Sequence, residues 1–161
     1  FQHAFQAGPL DYDAPWFASR RRVVLEARLA ALPELDLEAE LARVHAENVG
    51  KSCRGIGWRW PVETLQRVVR TLGPGLHVIL RRLAEHPGRH RQGLPDLLVW
   101  RADEVLLVEV KGPGDTPSME QRLWHDHLLR HGVPVEIAKV SRIGAGATRS
   151  PRGPSSRARS R

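Results

Sequence analysis

The chain is short of several residues that would otherwise direct its chemistry. One cysteine, Cys53, among 161 residues excludes an internal disulfide framework and every cysteine-rich zinc pattern. No apolar run approaches the roughly 20 residues that span a bilayer. A membrane is therefore not an expected partner, and an intracellular location is expected: the nucleus in a eukaryote, the cytoplasm in a bacterium. Lysine is scarce as well. Lys51, Lys111 and Lys139 are the three lysines in a basic complement of 25 that is otherwise arginine, so each marks a place where arginine was not used.

At 161 residues there is room for one domain with a real core, and too little for two comfortable ones. The net charge of +7 suggests nucleic acid, because clustered Lys and Arg neutralise phosphates and release counterions. Its distribution weakens that argument. The segment 142–161 carries six arginines and no acid, which accounts for all but one of the net positive charges. Mostly Gly, Ser, Pro, Ala and Arg, this tail cannot bury much apolar area and is expected to be disordered. Residues 1–141 are expected to form the folded domain. The chain opens at Phe1 inside a patterned segment, so 1–18 reads as the end of an upstream region and the whole as the C-terminal part of something longer.

The front two-thirds is patterned as helix. A first helix is expected over Ser19–Leu32, stopped by Pro33, and a second from Asp36 to near Gly50, with Leu37, Leu41 and Val44 at helical spacing. Pro61 suits the first turn of a third, whose Leu65, Val68, Val69 and Leu72 make one apolar stripe before Gly73. The stretch LHVILRRLAEH at 76–86 reads as a fourth helix, although LHVIL alone fits a strand equally well. After Pro87-Gly88 the pattern changes. Leu97–Trp100 and Val105–Val110 are apolar runs joined by a polar turn, which signals a hairpin. Ser118-Met-Glu-Gln121 is a capping box opening a helix to about His131, with Gly132 as its cap, and Val133–Val140 reads as a final strand. Strand, strand, helix, strand behind a helical front argues for an α/β domain with a mixed sheet flanked by helices.

The hairpin carries the chemistry. If Ala102 and Asp103 form the turn, Arg101 faces Glu104, and Asp96 faces Glu109 at the other end. Opposed side chains have Cβ atoms about 4.5–5.5 Å apart, and like charges there repel. At an effective dielectric near 20, two full charges ~5 Å apart cost about 3 kcal/mol. A divalent cation between the carboxylates reverses the sign, and oxygen ligands suit Mg²⁺ or Mn²⁺ better than zinc. Lys111 lies two residues beyond Glu109, hence on the same strand face, and a compact ammonium there can sit beside a water or phosphate. The bland alternative is an acid at a strand start and a Glu–Lys pair that neutralises itself at a sheet edge.

The string GLPDLLVW…LLVEVKGPGDTPSMEQRLW…GVPVEIAKV resembles the VRR-NUC branch of the P-D…(D/E)-x-K nucleases. The upstream FQAGPLDYDAPWFASRRRVVLEARL is similar to the corresponding region of the Fanconi-associated nuclease family. The resemblance implies a restriction-endonuclease-like core and a Mg²⁺- or Mn²⁺-dependent phosphodiesterase. Asp96 and Glu109 would be metal ligands with the Val110 carbonyl, Lys111 the catalytic lysine, and Glu26 a further metal-binding carboxylate from the first helix. Read by itself, Glu26 has a salt bridge to Arg22 as its alternative. Gln121 needs no role beyond the capping box, but the resemblance sets it near the active site, against substrate or a metal-bound water. Arg89 and Arg91, just before the Pro-Asp, grip backbone phosphates in one reading and line a solvated turn in the other.

Family members of this kind cut 5′ flaps and trim 5′ ends of branched DNA in interstrand-crosslink repair, with help from upstream regions. Two alternatives stand beside that reading: a dimeric, Holliday-junction resolvase-like VRR-NUC nuclease, and a non-catalytic DNA-binding module. Other features are weaker. His127 and His131 lack the H-E-x-x-H glutamate and are expected to be exposed helical residues. Trp58 and Trp60 suit base stacking or core packing, the latter for at least one of them. Gly112, Pro113 and Gly114 make a sharp strand exit, and no G-K-[ST] follows to make it a phosphate loop.

Overall fold

Helices occupy the first half of the computed structural model, and among the described residues the strands lie in the second. The structure describes residues 8–51, 58–102 and 104–141; Cys53, Asp103 and the basic tail lie outside them. The helices are α1 (Phe17–Arg20), α2 (Arg22–Ala31), α3 (Leu37–Asn48), α4 (Val62–Leu72), α5 (Pro74–Glu85), α6 (Pro87–His90) and α7 (Met119–Arg130). The strands are β1 (Leu97–Arg101), β2 (Glu104–Lys111) and β3 (Val135–Lys139).

The first helix departs from its expected course. It is broken at Arg21, whose guanidinium turns away to bind both oxygens of Asp11 at 2.8 Å and to cover the Phe17 ring at 4.2 Å. Pro33 does not stop the chain abruptly, because a 3-10 turn over Leu32–Glu34 continues past it; near a helix start the missing proline N–H costs nothing. Residues 8–18 fold back on the domain. Asp13 pairs with Arg91 at 3.3 Å, and its backbone lies so near Gly88 that an added Cβ would approach to 3.3 Å.

Later boundaries follow local chemistry. Asp36 caps α3 by accepting the Ala39 N–H at 3.0 Å. Gly73, at φ 48°, ends α4 and admits Pro74 at the start of α5, so LHVIL is helical. Part of the basic stretch expected as a loop is the single turn α6. The final strand is trimmed to Val135–Lys139.

The sheet has the order β1-β2-β3. β1 and β2 are antiparallel, with Arg101 opposite Glu104 and Leu97 opposite Val108, which is the expected register. β2 and β3 are parallel, Glu109 beside Ile137 and Lys111 beside Lys139. Parallel neighbours need a crossover, and α7 supplies it. One core holds the layers together: Leu72 and Ile79 from α4 and α5, Leu107 and Val135 from the sheet, Trp124 and Leu128 from α7.

Trp124 also fixes the segment leading into β1. Its indole N–H donates to the His90 carbonyl at 2.8 Å, and the Arg82 guanidinium covers the ring at 4.9 Å. Gly93 closes this contact. It sits at φ +81°, and an added Cβ would lie 2.6 Å from the Glu120 carbonyl carbon and 2.7 Å from the Gln121 nitrogen. Only glycine tolerates both conditions.

His131 is exposed as expected, but His127 is half-buried. It meets the Trp124 ring edge-on at 5.9 Å, and its Nε2 is buried without a hydrogen-bond partner. Burial, reinforced by Arg82, holds this imidazole below the ordinary histidine value. Trp60 is exposed, while Trp58 is half-buried with its ring edge-on to His45 at 6.3 Å.

Gly93→Ala is expected to destabilise the domain by about 1–3 kcal/mol through strain and overpacking, read as a lower denaturation midpoint in urea. A second expectation concerns acid. A histidine whose folded-state value is depressed binds protons more readily when unfolded, so stability falls as pH drops below about 6.5. The fall in Tm between pH 7.5 and 5.5 is expected to be smaller in His127→Leu than in the parent.

Candidate active site

The odd residues of β2 face the core, where Val105 packs partly buried and Leu107 is 5% exposed, apolar as a core requires. The next two are not. Glu109 is 1% and Lys111 8% exposed, and removing such charges from water costs several kcal/mol each unless they are paired and hydrogen-bonded. Both conditions are met at one carboxylate oxygen. Glu109 Oε1 accepts from Lys111 Nζ at 2.7 Å and from Gln121 Nε2.

Gln121 holds this cluster to the helix terminus. Its Oε1 accepts from Lys111 Nζ at 2.8 Å and from the Ser118 backbone N–H at 2.9 Å. Its own N–H donates to Ser118 Oγ at 3.2 Å. Both expected settings of Gln121 thus coincide, the capping box and the neighbourhood of Glu109 and Lys111. Glu120 beside it is kept below the usual carboxyl range, first by a backbone N–H, then by the Ser118 hydroxyl, and more weakly by Arg89.

Asp96 immediately precedes β1 and is exposed. Its Oδ2 accepts the Val110 N–H at 2.9 Å, which ties it to the residue between Glu109 and Lys111. Continuing the hairpin register by one pair sets Asp96 opposite Glu109. Two carboxylates and one ammonium therefore gather where β2 ends and α7 begins. In open α/β sheets ligands bind in the crevice beyond the carboxyl ends of the strands.

Glu109 Oε2 is buried and has no hydrogen-bond partner. An oxygen desolvated in this way, on a carboxylate next to a second one, fits a hard cation. Mg²⁺-type ions are commonly held by one or two carboxylates, with waters and substrate phosphates completing the shell. Glu26 is not drawn into the group. It pairs with Arg81 at 3.4 Å, not with Arg22, and its side chain is 58% exposed. Among the described residues, no three Asp, Glu, His or Cys side chains gather to hold one ion. Arg89 is exposed on α6, and Arg91 keeps about half its side chain in solvent beside Asp13.

The profile of the VRR-NUC domain matches residues 32–142. The chain belongs to the VRR-NUC family. Among curated relatives, human Fanconi-associated nuclease 1 is 38% identical over 153 residues, covering 90% of this chain and 15% of the relative. The rice homolog is 38% identical over 151 residues, covering 89% of this chain and 16% of the relative. A crystal structure of paFAN1 bound to 1-nt 5′-flap DNA with a gap superposes with TM-score 0.76 at 28% identity, over 89% of this chain and 27% of that one. The mixed sheet with flanking helices is therefore the fold of the matching part of paFAN1. The VRR-NUC chain described here corresponds to about one-sixth of the curated relatives' length. Membership in this nuclease family implies a divalent-metal cofactor.

Three residues of this VRR-NUC site were not singled out by the sequence pattern. Gly93 was visible in G-L-P-D, but nothing local signals that the α7 backbone passes against it. Asp115, in K-G-P-G-D, closes the strand exit by accepting the Gly112 N–H at 3.0 Å through Oδ2; its position three residues on was the available signal. His125, four residues after Gln121 on α7, is half-buried, and its Nε2 is buried without a partner. Burial lowers its pKa, with Glu109 opposing that shift and Lys111 adding to it.

Removing one partner of a buried pair leaves the other charge uncompensated. Lys111→Met is therefore expected to cost about 3–5 kcal/mol of stability in metal-free buffer, measured by chemical denaturation. Part of that loss should be recovered when Mg²⁺ is added.

Proposed function

We propose that this VRR-NUC domain is the catalytic part of a metal-dependent DNA nuclease that hydrolyses phosphodiesters at the junction of β2 and α7. The observation that carries the reading is Glu109, buried with one oxygen held by Lys111 and Gln121 and the other left without a partner. A fold alone needs no such group at that point, whereas phosphoryl hydrolysis does.

Asp96 and Glu109 are the residues that would hold Mg²⁺ or Mn²⁺, with the Val110 carbonyl adjoining and Glu26 as a further carboxylate once released from Arg81. Bound there, a divalent cation supplies positive charge against the scissile phosphate and makes water a better nucleophile at neutral pH. The Val110 N–H orients Asp96, and Gln121 fixes the rotamers of Glu109 and Lys111 through the cap of α7. The Lys111 ammonium orients the attacking water and stabilises charge that develops on the phosphoryl oxygens, a role that preorganised donors perform without reorganisation. Arg89 and Arg91 flank the Pro-Asp segment as cations and position the DNA through its phosphates. Flapped or otherwise branched DNA is the substrate class favoured, since the relatives are Fanconi-associated nucleases and paFAN1 was crystallised on 5′-flap DNA.

The test incubates 5′-flap, four-way-junction and linear DNA with the full chain in Mg²⁺ or Mn²⁺. Cleavage favouring the flap is expected, and Lys111→Ala should lower the rate by about 10²–10³-fold while DNA affinity stays within a few-fold. Equal cutting by parent and variant would defeat the assignment. Magnesium-independent DNA binding without cleavage would support a binding module instead.

A further inference from the structure

At the end of the hairpin away from the catalytic cluster, the tip of β1 and one face of α4 enclose an open cleft of about 460 Å³. Arg67, Arg70, Thr71, Trp100 and Ala102 line it. The three helical residues share a face, because positions three and four apart on a helix are neighbours. Trp100 pairs with Val105 across the hairpin, so its side chain lies on the same face of the sheet as that core residue. It is nevertheless 39% exposed. Trp16 and Trp124 each have a guanidinium over the ring, whereas among the described residues Trp100 has neither a cation nor another ring against it.

The charges in the cleft are equally available. Arg67 is exposed and forms no ion pair among the described residues. Arg70 pairs with Glu38, but in solvent, with its side chain 67% exposed, and such pairs hold their partners weakly. An indole face beside two guanidinium forks and a hydroxyl suits a planar ring that carries an anion. Bases stack on aromatic side chains, and arginine takes phosphate oxygens in pairs. An acidic peptide would engage the arginines and leave the indole unused. Position ties the cleft to the catalytic residues. β1 is an outer strand of the described sheet, and Asp96 stands four residues before Trp100, about 13 Å along an extended chain. That is the axial length of about four nucleotides of one strand of a DNA duplex.

We propose that this cleft is a second DNA subsite, which takes one unpaired nucleotide with its base stacked on Trp100 and its phosphate held by Arg67 and Arg70. The inference rests on the nuclease reading above for its ligand, since flapped DNA carries unpaired nucleotides. Hydrolysis itself does not pass through it. Every base has a π-face, so the subsite selects an unstacked base and not a sequence. It thereby favours single-stranded over duplex DNA along the β1 edge.

The experiment measures binding of labelled oligo(dT), and of a blunt duplex of the same length, to the full chain in EDTA. Parent, Arg67→Gln, Trp100→Phe and Trp100→Leu are compared, with Tm as a check on folding. Trp100→Leu is expected to weaken oligo(dT) binding by about 5–150-fold, the usual worth of one base stacked on an aromatic side chain, and to leave duplex binding within about two-fold. Trp100→Phe keeps an aromatic face and should stay within a few-fold of the parent. Arg67→Gln should flatten the dependence of log K on log salt by about 0.7, the share of one phosphate contact on a single strand. Parent-like oligo(dT) affinity in Trp100→Leu would overturn the inference, as would equal losses on oligo(dT) and duplex. If Trp100→Leu does not fold, an unchanged salt slope in Arg67→Gln overturns it. Displacement of oligo(dT) by a polyglutamate peptide at lower concentration than by unlabelled oligo(dT) would assign the cleft to an acidic protein instead. Any of these results, with flap DNA still cut by the parent in Mg²⁺, leaves the nuclease reading standing. A parent that neither binds nor cuts DNA would end both.

Discussion

Everything at this site depends on a glutamate that the fold has taken out of water. Glu109 occupies a strand position whose neighbour two residues earlier, Leu107, is ordinary core, so the sheet would pack more cheaply with an aliphatic residue there. The desolvation of Glu109 is offset by Lys111 and Gln121 converging on a single oxygen. Because those bonds all fall on Oε1, the carboxylate is immobilised without being used up. Replacing such a buried pair by apolar residues is often neutral or stabilising, so the pair is better explained by chemistry than by stability.

The capping box of α7 links that electrostatics to the architecture. Caps usually satisfy the free N–H groups of a helix terminus and nothing more. Here the side chain that caps, Gln121, also reaches Glu109 and Lys111, so the start of α7 is set by the same bonds that set the site. The helix is held from its other side by Trp124, buried in the core and bonded to His90, and by the glycine contact at Gly93. The segment carrying Arg89, Arg91 and Asp96 is thereby clamped to the helix that orders Lys111. One helix keeps these arginines and the carboxylates in register.

Much of this was legible before any coordinates. The hairpin register follows from the turn position, since each residue counted back from Arg101 and Glu104 pairs in step, and the observed pairing agrees from Arg101–Glu104 to Leu97–Val108. The capping box was equally readable, because a serine and a glutamine at that spacing satisfy each other locally. Boundaries decided by distant partners were not. The break at Arg21 depends on Asp11, ten residues away, and the pairing of Glu26 with Arg81 joins two helices 55 residues apart. The missing H-E-x-x-H glutamate leaves His127 reading as an exposed helical residue, and only the position of Trp124 and α5 buries it.

The sequence by itself determined the inventory of the site and its local geometry: two acids and a lysine at the ends of one hairpin, and a capped helix two turns later. Strand alternation and helix capping act over a few residues, so they are written in spacing. Tertiary structure alone decided which of those groups are buried and which oxygen of Glu109 lacks a partner. Those properties belong to the packing of α7 on β2, and burial is a relation between elements that no local pattern encodes.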